Sequence, residues 1–223
     1  MKKILGLAML ASAMTGAAGV AHAEGSVSGN VALTSNYVWR GITQSSSGVA
    51  IQGGFDYSND IFYAGTWASS VDFNAPGTTE LDIYAVVEPT VGPVSLDFAV
   101  LGYFYPGADD DAAESDFFEG KAAASIAPTE QFTLGAAVYY SPEFYGETGG
   151  ATYLEANAAF ALSDAFSISG AYGNQDVDDL GDYTTWNLGG TFAFSGFELD
   201  VRYWDTEDTG LDEEFSITIS RSL

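Results

Sequence analysis

The chain has 223 residues, no cysteine, and 31 acidic residues against six basic ones, which gives a formal net charge of −25. A surface of this charge repels nucleic acid, so the composition excludes DNA and RNA as partners. The lack of cysteine excludes disulfides and thiol catalysis. Abundant Tyr, Phe and Gly with few Lys is typical of outer-membrane barrels rather than of soluble domains.

The first 23 residues have the pattern of a cleavable Sec signal peptide. Met1-Lys2-Lys3 is basic, residues 4–20 are apolar, and Ala21-His22-Ala23 forms a small-x-small cleavage site. A membrane-anchoring helix is the alternative, but the apolar run is short and diluted by Gly and Ala. We therefore predict a signal peptide over residues 1–23 and a mature protein over residues 24–223. The mature part has four basic residues, a net charge of −27, and no histidine.

Taken in chain order, the mature sequence alternates between apolar and polar residues with a period of two, which indicates β-strands. Helical periodicity is absent, and the most apolar stretch, residues 85–105, is interrupted by charged and proline residues. The twelve alternating segments cover residues 26–40, 48–57, 61–71, 79–89, 94–105, 115–126, 131–141, 151–162, 166–174, 183–194, 197–204 and 214–223. Most are long enough to cross a bilayer as tilted strands. We predict an all-β fold: a closed, antiparallel, transmembrane up-and-down β-barrel of about 12 strands, with ten or fourteen strands and a soluble β-sandwich as alternatives.

The connections between these segments alternate in length. Short turns cover residues 58–60, 90–93, 127–130, 163–165 and 195–196, and long loops cover residues 41–47, 72–78, 106–114, 142–150, 175–182 and 205–213. Outer-membrane barrels have short periplasmic turns and longer external loops, so both termini are predicted to lie in the periplasm. The long loops are acidic, for example at Asp109–Asp111 and at Asp205–Glu214. Such loops either bind divalent cations weakly or are only solvated, and their spacing completes no calcium motif. We therefore predict no resident metal or cofactor.

Two sets of side chains are singled out by strand parity and by position. Aromatic residues near segment ends are predicted to form girdles at the membrane interfaces: Tyr37, Trp39, Phe55, Tyr57, Tyr63, Trp67, Phe104, Tyr140, Trp186 and Tyr203. Charged residues with inward parity are the candidates for lining the lumen and setting selectivity: Arg40, Asp56, Glu80, Asp82, Asp97, Glu119, Lys121, Glu155, Asp200 and Arg202. They either set ion selectivity at a constriction or form a structural network in a closed lumen. Small residues at inward positions favour a narrow pore.

Three runs in the first part of the mature chain resemble the TorF family of putative porins. They are VALTSNYVWRGITQS at residues 31–45, AIQGGFDY at residues 50–57 and FYAGTWASSVDF at residues 62–73, and the match is strongest over residues 35–44. The resemblance is specific there and general afterwards. It implies an outer-membrane barrel with a presumed pore, and it supplies neither a solute nor catalytic residues.

These patterns predict a porin-like channel for passive diffusion of small polar solutes or ions, with a preference for cations because acids are in excess. A closed barrel with a structural or surface role is the alternative. No enzyme is predicted, since the mature part lacks the histidine and cysteine that a serine-type hydrolase or a His/Cys zinc site requires. The expected location is the outer membrane of a Gram-negative bacterium. The expected partners are membrane lipid, lipopolysaccharide and the barrel-insertion machinery.

Overall fold

A computed structural model describes residues 25–74, 76–108, 114–207 and 209–223. The predicted signal peptide and the acidic residues Asp109–Asp111 and Asp208 therefore lie outside the described residues. The described ranges consist of strands, turns and loops, and none of their segments is a helix long and apolar enough to cross a bilayer.

Twelve long strands form one closed sheet in which each strand pairs antiparallel with its neighbours in the chain, and the first strand pairs with the last. Closure satisfies every edge of the sheet and leaves no strand edge open. This confirms the predicted barrel. The twelve strands are β1 (Ser26–Thr34), β4 (Ala50–Asn59), β5 (Phe62–Ser70), β6 (Thr79–Val87), β8 (Val94–Phe104), β9 (Phe117–Ile126), β10 (Phe132–Ser141), β11 (Ala151–Ala161), β12 (Phe166–Val177), β13 (Gly181–Phe194), β14 (Phe197–Glu207) and β15 (Glu214–Ser222).

Three short strands lie outside this cycle. β7 (Thr90–Val91) pairs with the start of β8 at the end of the barrel that carries both termini. β2 (Val38–Trp39) and β3 (Ile42–Thr43) pair only with each other. We call residues 35–48, which contain β2 and β3, the inner hairpin.

The inner hairpin corrects the prediction that the first strand runs to residue 40. β1 ends at Thr34, and the chain then folds back into the barrel. At the tip, Arg40 (φ 48°) and Gly41 (φ 83°) both adopt the left-handed conformation, which is the geometry of a two-residue type I′ turn. Tyr37 and Trp39 keep the parity of the outward-facing apolar residues of β1. Parity alone therefore cannot show that the chain has left the barrel wall.

The predicted long loop over residues 175–182 is also wrong. The β12–β13 ladder continues through Asp176 opposite Asp182 and Val177 opposite Gly181, so that only residues 178–180 connect the two strands. Polar residues are compatible with a strand there because the paired Asp176 and Asp182 are exposed at the end of the wall.

Six of the ten predicted girdle aromatics lie on the outer surface. Phe55, Tyr57, Tyr140 and Tyr203 are exposed there. Phe104 and Trp186 are half-buried at outward positions, where their rings contact Phe118 and Tyr203 at centroid distances of 5.7 Å and 5.4 Å. Their role at the membrane interface stays a prediction.

The other four predicted girdle aromatics point into the barrel, which corrects their assignment. Tyr37 and Trp39 belong to the inner hairpin rather than to a wall strand. Tyr63 and Trp67 lie on the inner face of β5, where Trp67 is opposite the inward-facing Asp82. On β5 the small residues Ala64 and Ala68 take the outward positions, so the rule that the larger apolar side chains face outward fails on this strand.

Candidate functional site in the barrel lumen

The candidate site is the inner face of the barrel together with the inner hairpin. One side of the lumen wall carries a tightly packed, largely aromatic cluster that also includes Tyr37 of the hairpin. Its buried members are Tyr37, Ala50, Trp67, Val71, Tyr84, Val86, Ala99, Leu101, Tyr103, Tyr105 and Phe117. Trp39 of the hairpin packs against this wall, with its ring 5.9 Å from Tyr103 and 6.1 Å from Phe144 between centroids. The hairpin is therefore held by apolar contacts on one of its sides.

Arg40 anchors the tip of the hairpin by a bidentate ion pair. Its two terminal nitrogens donate to the two carboxylate oxygens of Glu119 on β9, each at 2.8 Å, and one of them also donates to Gln175 Oε1 at 2.9 Å. The guanidinium lies 4.2–4.8 Å from the ring centroids of Trp39, Tyr139 and Tyr153. Only 2% of Arg40 is exposed. Such a pair is geometrically specific, and losing one partner would leave a buried charge uncompensated.

The charge states of the hairpin follow from this environment. Burial acts to lower the pKa of Arg40, but the Glu119 carboxylate raises it, and the net shift is upward, so the guanidinium stays charged. Burial, together with the carboxylates of Glu80 and Asp82, raises the pKa of Tyr37. The Tyr37 hydroxyl therefore keeps its proton and donates it to Glu80 Oε1 at 2.8 Å.

The hairpin also contacts the wall at β13 and β14. A Cβ added to Gly41 would lie 2.3 Å from Thr185 Oγ1 on β13 and 2.4 Å from Thr206 Cγ2 on β14. The Tyr183 hydroxyl donates to the Arg40 carbonyl oxygen at 3.2 Å. The hairpin leaves the wall at β1 and contacts β9, which lies across the cycle of strands from β1, as well as β12, β13 and β14. It therefore crosses the lumen and narrows it.

Two further ion pairs lie on the inner wall. Lys121 Nζ is 2.7 Å from Asp97 Oδ2. Arg202 is 3.1 Å from Asp200 Oδ2 and also donates to Asn187 Oδ1 at 2.7 Å. Each of the three basic candidates therefore forms an ion pair with one acid.

Four predicted lumen acids have no basic partner among the described residues. Asp56 accepts a hydrogen bond from the Tyr84 hydroxyl, and Glu80 accepts one from Tyr37. Glu155 accepts bonds from Tyr153 and Asn157 at 3.1 Å and 3.0 Å. Asp82 Oδ1 is buried without a hydrogen-bond partner in the described ranges. All ten candidates thus lie inside the barrel, although the role assigned to them in selectivity stays a prediction.

Sequence reasoning missed the polar residues that hold the hairpin. Gln175, which is 1% exposed, falls in a predicted loop, and Thr185 and Tyr183 are not among the predicted site residues. Extending the inward parity of β12 by one more residue beyond 174 would have identified Gln175, because Gly173 and Gln175 face the same side. Within the described ranges, no group of three His, Cys, Asp or Glu side chains lies close enough to hold a metal ion.

Comparison with solved structures gives barrels of similar size. A KdgM porin aligns with a TM-score of 0.63 at 8% identity, covering 88% of this chain and 99% of its own. A KdgM porin in complex with disordered oligogalacturonate aligns with a TM-score of 0.64 at 6% identity, covering 88% and 98%. The COG4313 outer membrane channel from Pseudomonas putida F1 aligns with a TM-score of 0.54 at 11% identity, covering 88% and 94%. At these identities the likeness shows a shared fold.

Sequence comparison places the chain in one family. No curated protein matches it. One family model matches residues 18–217, which is most of the chain, and it is described as a bacterial protein of unknown function. The chain belongs to the Gcw_chp family.

Proposed function

We propose that this protein is a porin-like channel of the outer membrane that passes small polar solutes or ions and prefers cations. The observation that carries the proposal is a closed barrel of twelve long strands whose outer face exposes apolar side chains while the ten charged lumen candidates turn inward. Phe55, Val100 and Leu188 are 58–64% exposed on the outside, a pattern that suits contact with lipid. The similar fold of porins and an outer membrane channel supports the same reading.

The preference for cations rests on the charges inside the barrel. Each of the basic side chains Arg40, Lys121 and Arg202 forms an ion pair with one acid, so its positive charge is neutralised by that carboxylate. Four lumen acids have no basic partner among the described residues: Asp56, Glu80, Asp82 and Glu155. A ring or cluster of acids lowers the energy of a cation in a narrow pore.

Location and processing are part of the same proposal. We infer that residues 1–23 are removed on export and that the protein is inserted into the outer membrane of a Gram-negative bacterium by the barrel-insertion machinery. There it would contact lipid and lipopolysaccharide. The resemblance of residues 31–45 to the TorF family supports this location, and we propose no enzymatic activity.

Reconstitution into planar bilayers under a salt gradient tests the proposal. Discrete conductance steps are expected, with a reversal potential of the sign for cation selectivity. Membranes that stay silent at protein levels sufficient for insertion would refute the channel, whereas steps with anion selectivity would refute only the cation preference. Liposome swelling with sugars, amino acids and salts then identifies the class of solute.

One observation favours a second function, a closed barrel with a structural or surface role. The inner hairpin crosses the lumen and its tip is fully buried. If the hairpin never leaves this position, conductance steps are absent in the wild type and appear only in variants that release it.

A further inference from the structure

Glu80 and Asp82 form an acidic pair on the inner face of β6. Each is 2% exposed, and they are two residues apart on one side of the strand. On the neighbouring strands, Ser69 is directly opposite Glu80, while Trp67 and Tyr103 are opposite Asp82. Opposed residues of antiparallel strands share a face, so these groups surround the pair.

Among the residues that the structure describes, no cationic side chain neutralises this pair. Arg40 uses both terminal nitrogens on Glu119, Lys121 is bound to Asp97, and Arg202 is bound to Asp200. Asp82 Oδ1 is buried and has no hydrogen-bond partner among the described residues. A buried carboxylate with an unpartnered oxygen is unfavourable, and a second carboxylate on the same face adds repulsion.

The surrounding donor atoms are oxygens with free lone pairs. The Ser69 hydroxyl donates its proton to the Ser70 carbonyl oxygen at 3.0 Å, which leaves its lone pairs unused. The Tyr37 hydroxyl likewise donates its proton to Glu80 and keeps a lone pair, while the Tyr105 side chain also hydrogen-bonds to Glu80. Carboxylate, hydroxyl and water oxygens in variable number are the ligands that Ca²⁺ accepts, whereas Mg²⁺ demands a near-ideal octahedron.

We propose that Glu80 and Asp82 bind one Ca²⁺ ion on the inner wall, with neutral oxygens and water completing its coordination. The α-carbons of residues two apart in a strand are roughly 7 Å apart, and the longer Glu80 side chain can lean toward Asp82 to share an ion. The charge of the ion cancels that of the pair. With only two carboxylates the affinity is modest, with a dissociation constant on the order of 10⁻⁴–10⁻³ M. This binding is independent of whether solutes pass through the barrel.

Trp67 gives the proposal a direct readout, because an indole opposite Asp82 can transfer excitation energy to a bound Tb³⁺ ion used as a Ca²⁺ analogue. Titration of the purified, detergent-solubilised full chain with Tb³⁺ is expected to give saturable luminescence on tryptophan excitation, competed by Ca²⁺ at lower concentration than by Mg²⁺. Asp82→Asn is expected to weaken binding at least tenfold, and Glu80→Gln likewise. Trp67→Phe should reduce the luminescence while leaving Ca²⁺ binding by calorimetry unchanged.

Glu213→Gln is the matched control, since it removes one exposed acid at the loop end without touching the pair. Heat-modifiable migration on gels verifies that each variant is a folded barrel, and the conclusion can be drawn from either Asp82→Asn or Glu80→Gln. Equal Tb³⁺ binding by wild type and both variants would assign the ion to the acidic loops and overturn the proposal. Absence of saturable binding would overturn it as well. Binding by a barrel that shows no conductance would refute the channel and leave this inference standing.

Discussion

The Arg40–Glu119 pair predicts how strongly the inner hairpin is held. Replacing Arg40 by Met removes the cation and leaves Glu119 buried, where only 1% of its side chain is exposed. Breaking one partner of a buried ion pair costs about 3–5 kcal/mol. Each 1.4 kcal/mol changes an equilibrium constant about tenfold, so the ratio of undocked to docked hairpin should rise by roughly 100-fold or more. The barrel ladder is not part of the hairpin, so the fold itself should persist.

Cysteine labelling measures this equilibrium, since the natural chain has no cysteine. Val38 in β2 is 6% exposed, so a thiol at Val38→Cys should react with a maleimide only when the hairpin leaves the lumen. We expect Arg40→Met to raise the labelling rate at least 100-fold, up to the rate of a freely exposed thiol. Adding Glu119→Gln to Arg40→Met should slow it again, because the uncompensated charge is gone.

Arg202→Met is the control, since it also removes a buried guanidinium from its acid but lies on β14 outside the hairpin. Its labelling rate should stay close to that of the Val38→Cys parent. An unchanged rate in Arg40→Met, or the same increase in Arg202→Met, would show that the ion pair does not hold the hairpin.

Two further changes test the lumen. Gly41→Ala should undock the hairpin and raise labelling of Val38→Cys, because the added Cβ would lie 2.3 Å from Thr185 Oγ1 and the residue has φ 83°. Gly196→Ala is the control, since Gly196 has a similar φ of 80° but no atom within 4 Å of the added Cβ, and it should leave labelling unchanged. Glu155→Gln should move the reversal potential toward zero in a salt gradient, because it removes a lumen acid that lacks a basic partner. Glu130→Gln removes an acid from an exposed turn and should leave the reversal potential unchanged. Equal shifts of the reversal potential in both variants would assign selectivity to the overall charge of the protein rather than to the lumen.

The wall of the barrel could be predicted closely because its strands obey one physical rule. The segment expected at residues 131–141 is β10, Phe132–Ser141, and the expected segment 151–162 is β11, Ala151–Ala161. Each wall residue faces either the outside of the barrel or its lumen, and hydrophobicity therefore alternates with every step. Parity also placed the lumen acids on the inner face, including Glu119 and Glu155.

The inner hairpin could not be predicted because its residues do not follow the inside–outside alternation of the wall strands. Tyr37 and Trp39 keep the parity of the outward-facing apolar residues of β1, but they pack on other aromatic side chains inside the barrel. Parity placed Arg40 inside for the wrong reason, as a wall residue rather than as a turn residue. Its partner Glu119 is 79 positions away in the chain, and a single sequence carries no signal for such a pairing.

The hairpin links the width of the lumen to its charge. When it is docked, Arg40 both occupies the lumen and neutralises Glu119. When it leaves, the opening widens, a positive charge departs, and a further acid joins those of the wall. A wider pore ordinarily discriminates less between ions, whereas an added unpaired acid favours cations. The two effects oppose each other, so Arg40→Met should raise conductance more than it changes selectivity. Adding Glu119→Gln removes the uncompensated charge and favours the docked hairpin again, so the double variant should conduct less and prefer cations less than the single variant.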